Sequence, residues 1–540
     1  MIVYDQVNNE VAQSLIREYE KDKADRSTWT DHWDNVAEFG VPRKDNVYGQ
    51  RTRGEKTNNL FTGFAIWCID FVGAAFHGML TNPSSMWYGL TTGIRELDSL
   101  DTVRIWLDEV AHRMNAVLNS SNFQTEIHET YIDIASFGTN ILMMSEDDEE
   151  VIKFQSIPIY NATIRENDKG DVVEVGREFE FDAVQLNERY KDLRPEIKDN
   201  LNADRNKKYC IIHILKPRKY AEMQGQLRHL DKNLPKSQKF VSFHILKEAG
   251  YILETGGFEE NPYAVPRWSK TSDEKYGRSP LMKALSDVKL VNAMKKVTIQ
   301  GAQLTIAPPV VAPDNGFLRP LTMKPFSVNY KRSTTKEKVE PVFTGANPSI
   351  GLDIIQSIQE EIKSHFYVDQ LKMIVADRMT ATEVIQRRDE QLRSLGPLLG
   401  RLHRELLKPI IDRTFNIMLN KGLLPEIPEE LAAGGELKIK YLSSIAKAQI
   451  TSEADNVVRA IQATSPLFEL KPEIADYIDA DYLLKYNFEV YGAPPKCIKP
   501  DAEVEKVREA RAQAQQEMIQ QEQEMQQTEQ MSKLAPLAKE

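Results

Sequence analysis

A glycine-bounded segment, Gly49–Thr57, comes nearer than any other part of this sequence to a catalytic motif. A phosphate-binding loop follows the pattern Gly-x4-Gly-Lys-Ser/Thr, because the lysine directly after the second glycine reaches the phosphates of a nucleotide. Here Glu55 separates Gly54 from Lys56 and puts a carboxylate where phosphate oxygens would lie. No apolar strand precedes the segment. We therefore interpret it as a polar loop without a nucleotide site.

The other residue types that could do chemistry form no recognisable motif. The nine histidines are scattered, and neither His-Glu-x-x-His nor a deaminase-type zinc signature is present. Ser-x-x-Lys occurs at Ser286 and Ser444, but without the Ser-Asp-Asn or Lys-Thr-Gly elements of the enzymes that use it. No two of the many carboxylates can be paired across a cleft from sequence. We expect no enzymatic activity, no cofactor and no metal site.

Composition describes a large, folded, acidic chain. Its 540 residues carry 69 Lys and Arg against 80 Asp and Glu, a formal charge of −11, and 41% are apolar. With a mean hydropathy of −0.46, this composition favours a soluble protein of three or four domains at about 150 residues each. A uniformly basic nucleic-acid coat is excluded, because phosphate binding takes clustered Lys and Arg in excess. Local basic patches remain open.

The cysteines and the N-terminus both favour a reducing compartment. Cys68, Cys210 and Cys497 lie too far apart in sequence to indicate a disulfide framework or a Cys-x-x-Cys metal pair. The first ten residues lack the basic and apolar regions of a secretory signal. We expect the chain to fold in the cytoplasm.

One apolar stretch, Leu60–Leu80, is long enough to span a membrane, with Asp70 and His77 as its only ionisable groups. An aspartate at the bilayer centre costs about 2.5–3.5 kcal/mol on insertion scales, and the flanks show no positive-inside pattern. A buried or interfacial helix is the favoured interpretation over a membrane helix. It would pack either in the core of its own subunit or against another subunit.

Periodicity predicts a mainly helical α+β protein with one β-rich insertion. Apolar spacings of three and four predict helices over about 11–39, 100–118 and 121–146, the last opened by a capping box at Ser121 and Gln124. Trp87–Leu90 is predicted as a short strand, and 151–268 alternates β-branched and aromatic residues in strand-like runs.

Helix is predicted again after the β-rich region. Ser279-Pro280 and Asn347-Pro348 each read as an N-cap followed by proline, so we predict helices over 279–306 and from 347 to about 421. The second should break at 374–379 and restart at a capping box, Thr380–Glu383. A helical domain at 436–491 and a polar tail from Asp501, helical or disordered, would follow.

Several segments together resemble the portal, or head-to-tail connector, proteins of short-tailed bacteriophages. The resemblance covers roughly residues 10–430 and is carried by the order and spacing of short motifs. These are Leu80-Thr81-Asn82-Pro83 with Trp87, Ser121-Asn122-Phe123 with Phe137-Gly138-Thr139, Asn261-Pro262-Tyr263, Arg267-Trp268, Tyr276-Gly277-Arg278-Ser279-Pro280 and Met379-Thr380-Ala381-Thr382-Glu383-Val384.

The resemblance implies a portal fold and a division of the chain into regions. Residues 1–120 and 307–435 would form the wing, which contains the kinked long helix. The helices in 121–149 and 279–306 would form the stem, with a β-rich clip at 150–278 between them. The crown would be 436–500 and the tail 501–540. The predicted elements agree with this division at one point, because the β-rich region is flanked by two helices that both begin with caps. An insertion carried on two such helices needs its ends held close together.

The resemblance also implies partners and contact residues. Such proteins form a ring, usually of twelve subunits, at one capsid vertex; double-stranded DNA passes through it, and the terminase large subunit, major capsid protein, scaffold and tail adaptor proteins contact it. Lys372, Arg378 and Met379, at the predicted kink, become candidates for a constriction that meets DNA. Arg378 could instead pair with Asp377, Glu383 or a neighbouring subunit.

A second, weaker set of channel-lining candidates is Lys289, Lys295 and Lys296 on the 279–306 helix. A solvated helix face or contact with the capsid is the favoured interpretation of these three lysines. Two other classes of protein stay open at this point. A different virion structural or tail protein would lack the order of helix, β insertion and helix. A packaging enzyme would need an intact phosphate loop or a metal-binding carboxylate cluster.

Overall fold

The computed structural model describes most of the chain, which divides into two compact units. Unit 1 comprises residues 1–84 and 117–417, and unit 2 comprises residues 85–116 and 418–540. The described residues are 2–44, 59–84, 86–98, 100–190, 193, 195, 198, 204–227, 238–311, 330, 340–341, 348–372, 395–432, 440–443, 457–464, 478–490, 497 and 501–534.

The elements up to the end of the β-rich region alternate between helices and short strands. In chain order they are α1 (Ile2–Asp25), α2 (Ser27–Gly40), α3 (Phe64–Leu80), β1 (Tyr88–Thr91), α4 (Arg95–Asp98), α5 (Asp101–Ser120), α6 (Phe123–Phe137), β2 (Ile141–Asp147), β3 (Val151–Ile157), β4 (Ala162–Glu166), β5 (Val172–Asp182), α7 (Ala183–Arg189), β6 (Lys208–Pro217), α8 (Arg218–Met223), β7 (Phe240–Leu246), β8 (Tyr251–Phe258) and β9 (Tyr263–Ala264).

Helices dominate the remaining elements. They are α9 (Pro280–Ile306), β10 (Val310–Val311), β11 (Glu340–Pro341), α10 (Pro348–His365), α11 (Val368–Leu371), α12 (Gly396–Leu402), a π-helical turn (His403–Leu407), α13 (Lys408–Asn420), α14 (Glu429–Ala432), β12 (Lys440–Ser443), α15 (residues 457–464), α16 (Ala480–Val490) and α17 (Asp501–Leu534). The fold class is α+β and mainly α, as predicted.

The start of α9 confirms the Ser279-Pro280 prediction. Ser279 is the N-cap, and its Oγ accepts a hydrogen bond from the Met282 amide at 2.9 Å, while Pro280 occupies the first turn. The same hydroxyl donates to the Ser136 carbonyl at 2.7 Å, which ties the start of α9 to the end of α6.

Ser279→Ala should therefore lower the free energy of unfolding by about 1–2 kcal/mol, since it removes the cap and leaves a buried carbonyl without its donor. Chemical denaturation monitored by circular dichroism measures this difference. Ser286→Ala, at an exposed position on the same helix, is the control and should change little. Equal effects from the two substitutions would contradict this role for Ser279.

The prediction of a long helix over 121–146 is wrong. Helix α6 ends at Phe137, because Gly138 takes the left-handed conformation with φ of 77°, and Ile141 begins strand β2. The predicted capping box is absent: Asn122 is the N-cap and makes no side-chain capping bond. The acidic run at 146–150 ends strand β2 and forms the turn of the β2–β3 hairpin, so the β-rich module begins at residue 141 rather than 150.

The apolar stretch 60–80 forms α3, which packs into the core of unit 1. Cys68, Val72, Phe76 and Leu80 are buried along one face. The exposed side carries Trp67, which is 42% exposed. Of the helices that the structure describes, none is both long enough and apolar enough to cross a membrane.

Two antiparallel sheets build the β-rich module, residues 141–278. The three-stranded sheet has the order β3-β2-β9, and the five-stranded sheet has the order β4-β5-β6-β7-β8. Helix α1 covers one face of the larger sheet through Leu15 and Tyr19, which pack on Ile212, Ile214 and Phe243. Helix α7 covers the other face through Leu186, against Ile211 and Leu246. The N-terminal helix therefore completes the core of the inserted module.

In unit 2, β12 pairs antiparallel with β1, so that Tyr88 lies opposite Ser443. The prediction of a helical domain over 436–491 is therefore wrong in part, because this region contains strand β12. The local sequence pattern does not indicate so short a strand, whose partner β1 lies much nearer the start of the chain. Helix α5 is held in the same unit by a hydrogen bond of 3.2 Å from Trp106 Nε1 to the Pro425 carbonyl. The tail forms the helix α17, one of the two alternatives that its composition allowed.

Candidate functional site

The two ends of the β-rich module meet at a pair of glycines. Gly138 follows α6 and Gly277 precedes α9. A Cβ on Gly138 would overlap the carbonyl of Gly277 and lie 2.7 Å from the Ser279 amide, and a Cβ on Gly277 would overlap the carbonyl of Gly138. Only glycine allows the two backbones to approach this closely. Both residues belong to the motifs that carried the family resemblance.

Hydrogen bonds lock this junction, which we call the module root. The Gly138 carbonyl accepts from the Trp268 amide at 2.9 Å, and Thr139 Oγ1 accepts from the Gly277 amide at 2.7 Å. Ser269 and Arg278 are bridged by a further backbone hydrogen bond of 2.7 Å. The ends of the insertion are thus held together, as an insertion on two helices requires.

Arg267 is the charged centre of the module root and is only 2% exposed. Its Nη2 donates to Glu405 Oε1 at 2.6 Å, while its Nε and its backbone amide donate to Oε2 of the same carboxylate at 3.2 and 3.0 Å. Its Nη1 pairs with Glu166, and the Gly170 carbonyl accepts from Nη2 at 3.1 Å. Burial opposes the charge, but Glu405 and Glu166 together raise the pKa of Arg267.

The partner carboxylate comes from an irregular helix turn. Glu405 lies in the π-helical turn between α12 and α13, a local widening that is often found at functional positions. The neighbouring Arg404 forms an exposed ion pair of 2.6 Å with Asp171. These two ion pairs bond the helical segment that begins at α12 to the β-rich module.

Trp268 and Tyr276 support the module root through aromatic contacts. Trp268 stacks on Phe76 of α3 with ring centroids 5.5 Å apart, and Tyr276 meets Trp33 of α2 edge-on at 5.2 Å. Both motif residues are 4% exposed. Core packing therefore explains why Trp268 and Tyr276 occur in the motifs that carry the family resemblance.

Lys372, the first constriction candidate, is exposed just after α11. Its Nζ lies 5.6 Å from the ring centroid of Trp67, a cation–π distance. Phe64 and Phe71 stack on either side of Trp67 at 5.8 and 5.7 Å. Three stacked aromatic side chains on α3 thus position this ammonium group at the protein surface.

Two of the α9 lysines are held in the same manner. Lys289 donates to Asn35 Oδ1 at 2.7 Å and lies 5.5 Å from the Phe39 ring, and Lys296 lies 5.3 Å from the Phe61 ring. They are exposed and, being two turns apart, share one face of the helix. Lys295 is half-buried. The sequence singled out the three lysines but not the rings beneath Lys289 and Lys296, which come from other segments.

The remaining candidates lie outside the described residues. They are Arg378, Met379, the predicted kink at 374–379 and the loop Gly49–Thr57. Within the described ranges, no group of three or more His, Cys, Asp or Glu could hold a metal ion. Cys68, Cys210 and Cys497 are free thiols, and burial raises the pKa of Cys68 to about 12.

Comparison with known proteins gives a family match over most of the chain. The family described as bacteriophage head to tail connecting protein matches residues 12–498. A probable portal protein of Bordetella phage BPP-1 is 28% identical over 510 residues, covering 92% of this chain and 90% of its own. The portal protein of Salmonella phage epsilon15 is 28% identical over 518 residues, covering 93% and 92%.

Two solved structures show a remote likeness. A chain from the neck of an empty gene transfer agent particle aligns with a TM-score of 0.37 at 11% identity, over 77% of this chain and 92% of its own. A chain from the virion of a native gene transfer agent aligns with a TM-score of 0.33 at 13% identity, over 73% and 89%.

Proposed function

Because the chain belongs to the bacteriophage head to tail connecting protein family, and so serves as a head-to-tail connector, we propose that it forms the portal ring at one capsid vertex. Double-stranded DNA enters and leaves the capsid through the ring. The observation that carries this proposal is the family match over residues 12–498, joined by two portal proteins aligned over about nine tenths of their lengths. The role is structural rather than catalytic.

The regions of the subunit follow from the order of its elements. Helices α6 and α9 are the stem, and the β-rich module between them is the clip. The wing combines residues 1–120 with 307–435, the crown is 436–500, and the tail is the helix α17. The hydrogen-bonded module root supports this division, since it closes the clip on its two stem helices as one insertion.

A few localised lysine and arginine side chains make the contact with DNA. Each subunit contributes a formal charge of −11, so a ring is acidic on balance and repels most of the duplex. We assign the grip to the segment that begins at Lys372 and includes Arg378 and Met379, because repeated guanidinium groups bind phosphates reversibly. Lys289, Lys295 and Lys296 are secondary candidates. The positions of Lys289 and Lys296 over aromatic rings support a defined, surface-facing orientation.

The partners of the ring follow from the same role. We propose that the terminase large subunit docks on it during packaging and that tail adaptor proteins replace the terminase afterwards. Scaffold and major capsid protein surround it during assembly in the host cytoplasm. The finished ring is part of the virion.

Immunogold labelling tests the location. Phage particles that carry an epitope tag after residue 540 and are opened to expose the interior should show gold at a single vertex. Gold along the tail or at many capsid positions would identify a different structural protein. An untagged phage stock is the control.

Arg378→Ala should reduce the fraction of particles that retain a full-length genome by about tenfold while leaving ring assembly unchanged. Retention is measured as nuclease-protected DNA per purified particle. Arg378→Lys keeps the charge and should retain most of the DNA, and Lys169→Ala, in an exposed turn of the clip, should behave as wild type. Normal retention by the Arg378→Ala ring would remove Arg378 from the DNA contact.

A further inference from the structure

Two histidines lie side by side inside the five-stranded sheet. His213 on β6 and His244 on β7 are direct cross-strand partners, with ring centroids 4.3 Å apart. His213 has no exposed surface, and His244 is 9% exposed. A proton taken up by either ring would therefore be held away from water and against the other ring. Burial of a charge without a counter-charge is strongly unfavourable.

Hydroxyl groups occupy three of the four ring nitrogens. His213 Nδ1 is 2.6 Å from the Tyr263 hydroxyl, and its Nε2 is 2.8 Å from Ser242 Oγ. His244 Nδ1 is 2.6 Å from the Tyr190 hydroxyl. Neutral rings satisfy this arrangement, because each Nδ1 accepts from a tyrosine. A proton on Nδ1 would turn that hydrogen bond around.

The charged groups that face the pair are mostly cationic. Arg177 on β5 lies opposite His213 in the register, and Arg189 ends α7, which covers this face. Glu254 on β8 lies opposite His244, but it pairs with Arg189 at 3.1 Å. Burial first, and then these two arginines, hold the pKa of His244 down to about 3. Burial first, then His244 and the same two arginines, hold the pKa of His213 well below its usual range.

The pair also joins the two sheets of the β-rich module. Tyr263 belongs to β9 of the three-stranded sheet, whereas His213 lies on β6 of the larger one. Since β6 and β7 are interior strands of that sheet, protonation cannot be relieved by fraying an edge. It needs separation of β6, β7 and β9.

We propose that His213 and His244 form an acid-sensitive latch, which holds β6, β7 and β9 together while both rings are neutral and opens this part of the β-rich module when they take up protons. An opened histidine has an ordinary pKa of about 6.5. The closed state is therefore fully favoured above that pH and loses stability as the pH falls. At pH 4.5 each ring should favour opening about 100-fold, and the two together about 10⁴-fold.

Hydrogen exchange with mass spectrometry tests the latch on the full chain. Protection factors of peptides covering 208–217 and 240–246, referred to the intrinsic exchange rate at each pH, should fall by about 10³–10⁴-fold from pH 7.5 to pH 4.5. In the double variant His213→Asn, His244→Asn, the amide oxygens can still accept from the tyrosines but cannot ionise. At pH 4.5 the double variant should keep a fraction of its pH 7.5 protection that is at least 100-fold larger than the fraction that wild type keeps.

His112→Asn, which replaces an exposed histidine, is the matched control and should follow wild type. An equal loss of protection in wild type and the double variant, or no loss in wild type, would overturn the proposal. Should the double variant fail to fold, imidazole C2 hydrogen exchange on the wild-type chain decides. The latch predicts no titration midpoint between pH 5.5 and 7.5 for either ring while the two peptides stay protected. A midpoint near 6.5 in the closed sheet would overturn it.

Discussion

Gly138→Ala should lower the free energy of unfolding of the subunit by about 4 kcal/mol or more, a large part of the stability of a typical domain. Two penalties add. The alanine must adopt φ of 77°, which costs about 1–2 kcal/mol for an L-residue, and its Cβ must overlap the backbone of Gly277. Backbone on both sides cannot move aside as a flexible side chain can. Thermal denaturation of the purified chain measures the loss.

Two other glycines separate these penalties. Gly422→Ala meets only the conformational one, since Gly422 has φ of 66° with open space around its Cα, and should cost about 1–2 kcal/mol. Gly78→Ala, in a helix with open space, should be neutral or slightly stabilising. A Gly138→Ala chain as stable as the Gly422→Ala chain would show that the two backbones do not approach as described.

Arg267→Met should cost about 3–5 kcal/mol, because it removes the guanidinium that meets the Glu405 carboxylate at 2.6 Å and leaves only the more distant Arg401, at 3.8 Å. Urea denaturation of the variant and of wild type at pH 7.5 measures this cost.

Arg404→Met is the matched control on the same helix turn. Its ion pair with Asp171 is exposed, with side-chain accessibilities of 68% and 46%, so its loss should cost less than about 1 kcal/mol. The double variant Arg267→Met, Glu405→Gln should recover part of the lost stability, since the carboxylate that lost its buried guanidinium is then neutral. Equal costs for the two single substitutions would contradict the central place of Arg267 in the module root.

Local signals in the sequence predicted the elements that local chemistry determines. The pair Ser279-Pro280 correctly predicted the residue at which α9 begins. This succeeded because a cap and a first-turn proline act within a single helical turn. The same reasoning failed at Gly138. The apolar spacing from Ile134 to Ile141 continues a helical period by coincidence, and no local pattern reports that a glycine turns the chain into a strand there.

The module root shows why contacts across the chain were beyond sequence reasoning. Arg267 and Glu405 lie far apart in the sequence, and neither position differs locally from any other Arg or Glu. Lys289 and Lys296 were recognised on one helix, but the rings beneath them come from segments near the N-terminus. The family motifs include Gly138, Arg267 and Gly277. The fold explains the two glycines by the close approach of their backbones and Arg267 by its ion pairs with Glu166 and Glu405.

This head-to-tail connector should form a closed ring around a DNA channel. Cryo-electron microscopy of the purified full-length chain tests that assembly most directly. We predict rings with an axial hole wide enough to pass a DNA duplex, with the β-rich modules gathered at one end. A chain that stays monomeric at micromolar concentration, or rings whose β-rich modules point away from the axis on all sides, would contradict it.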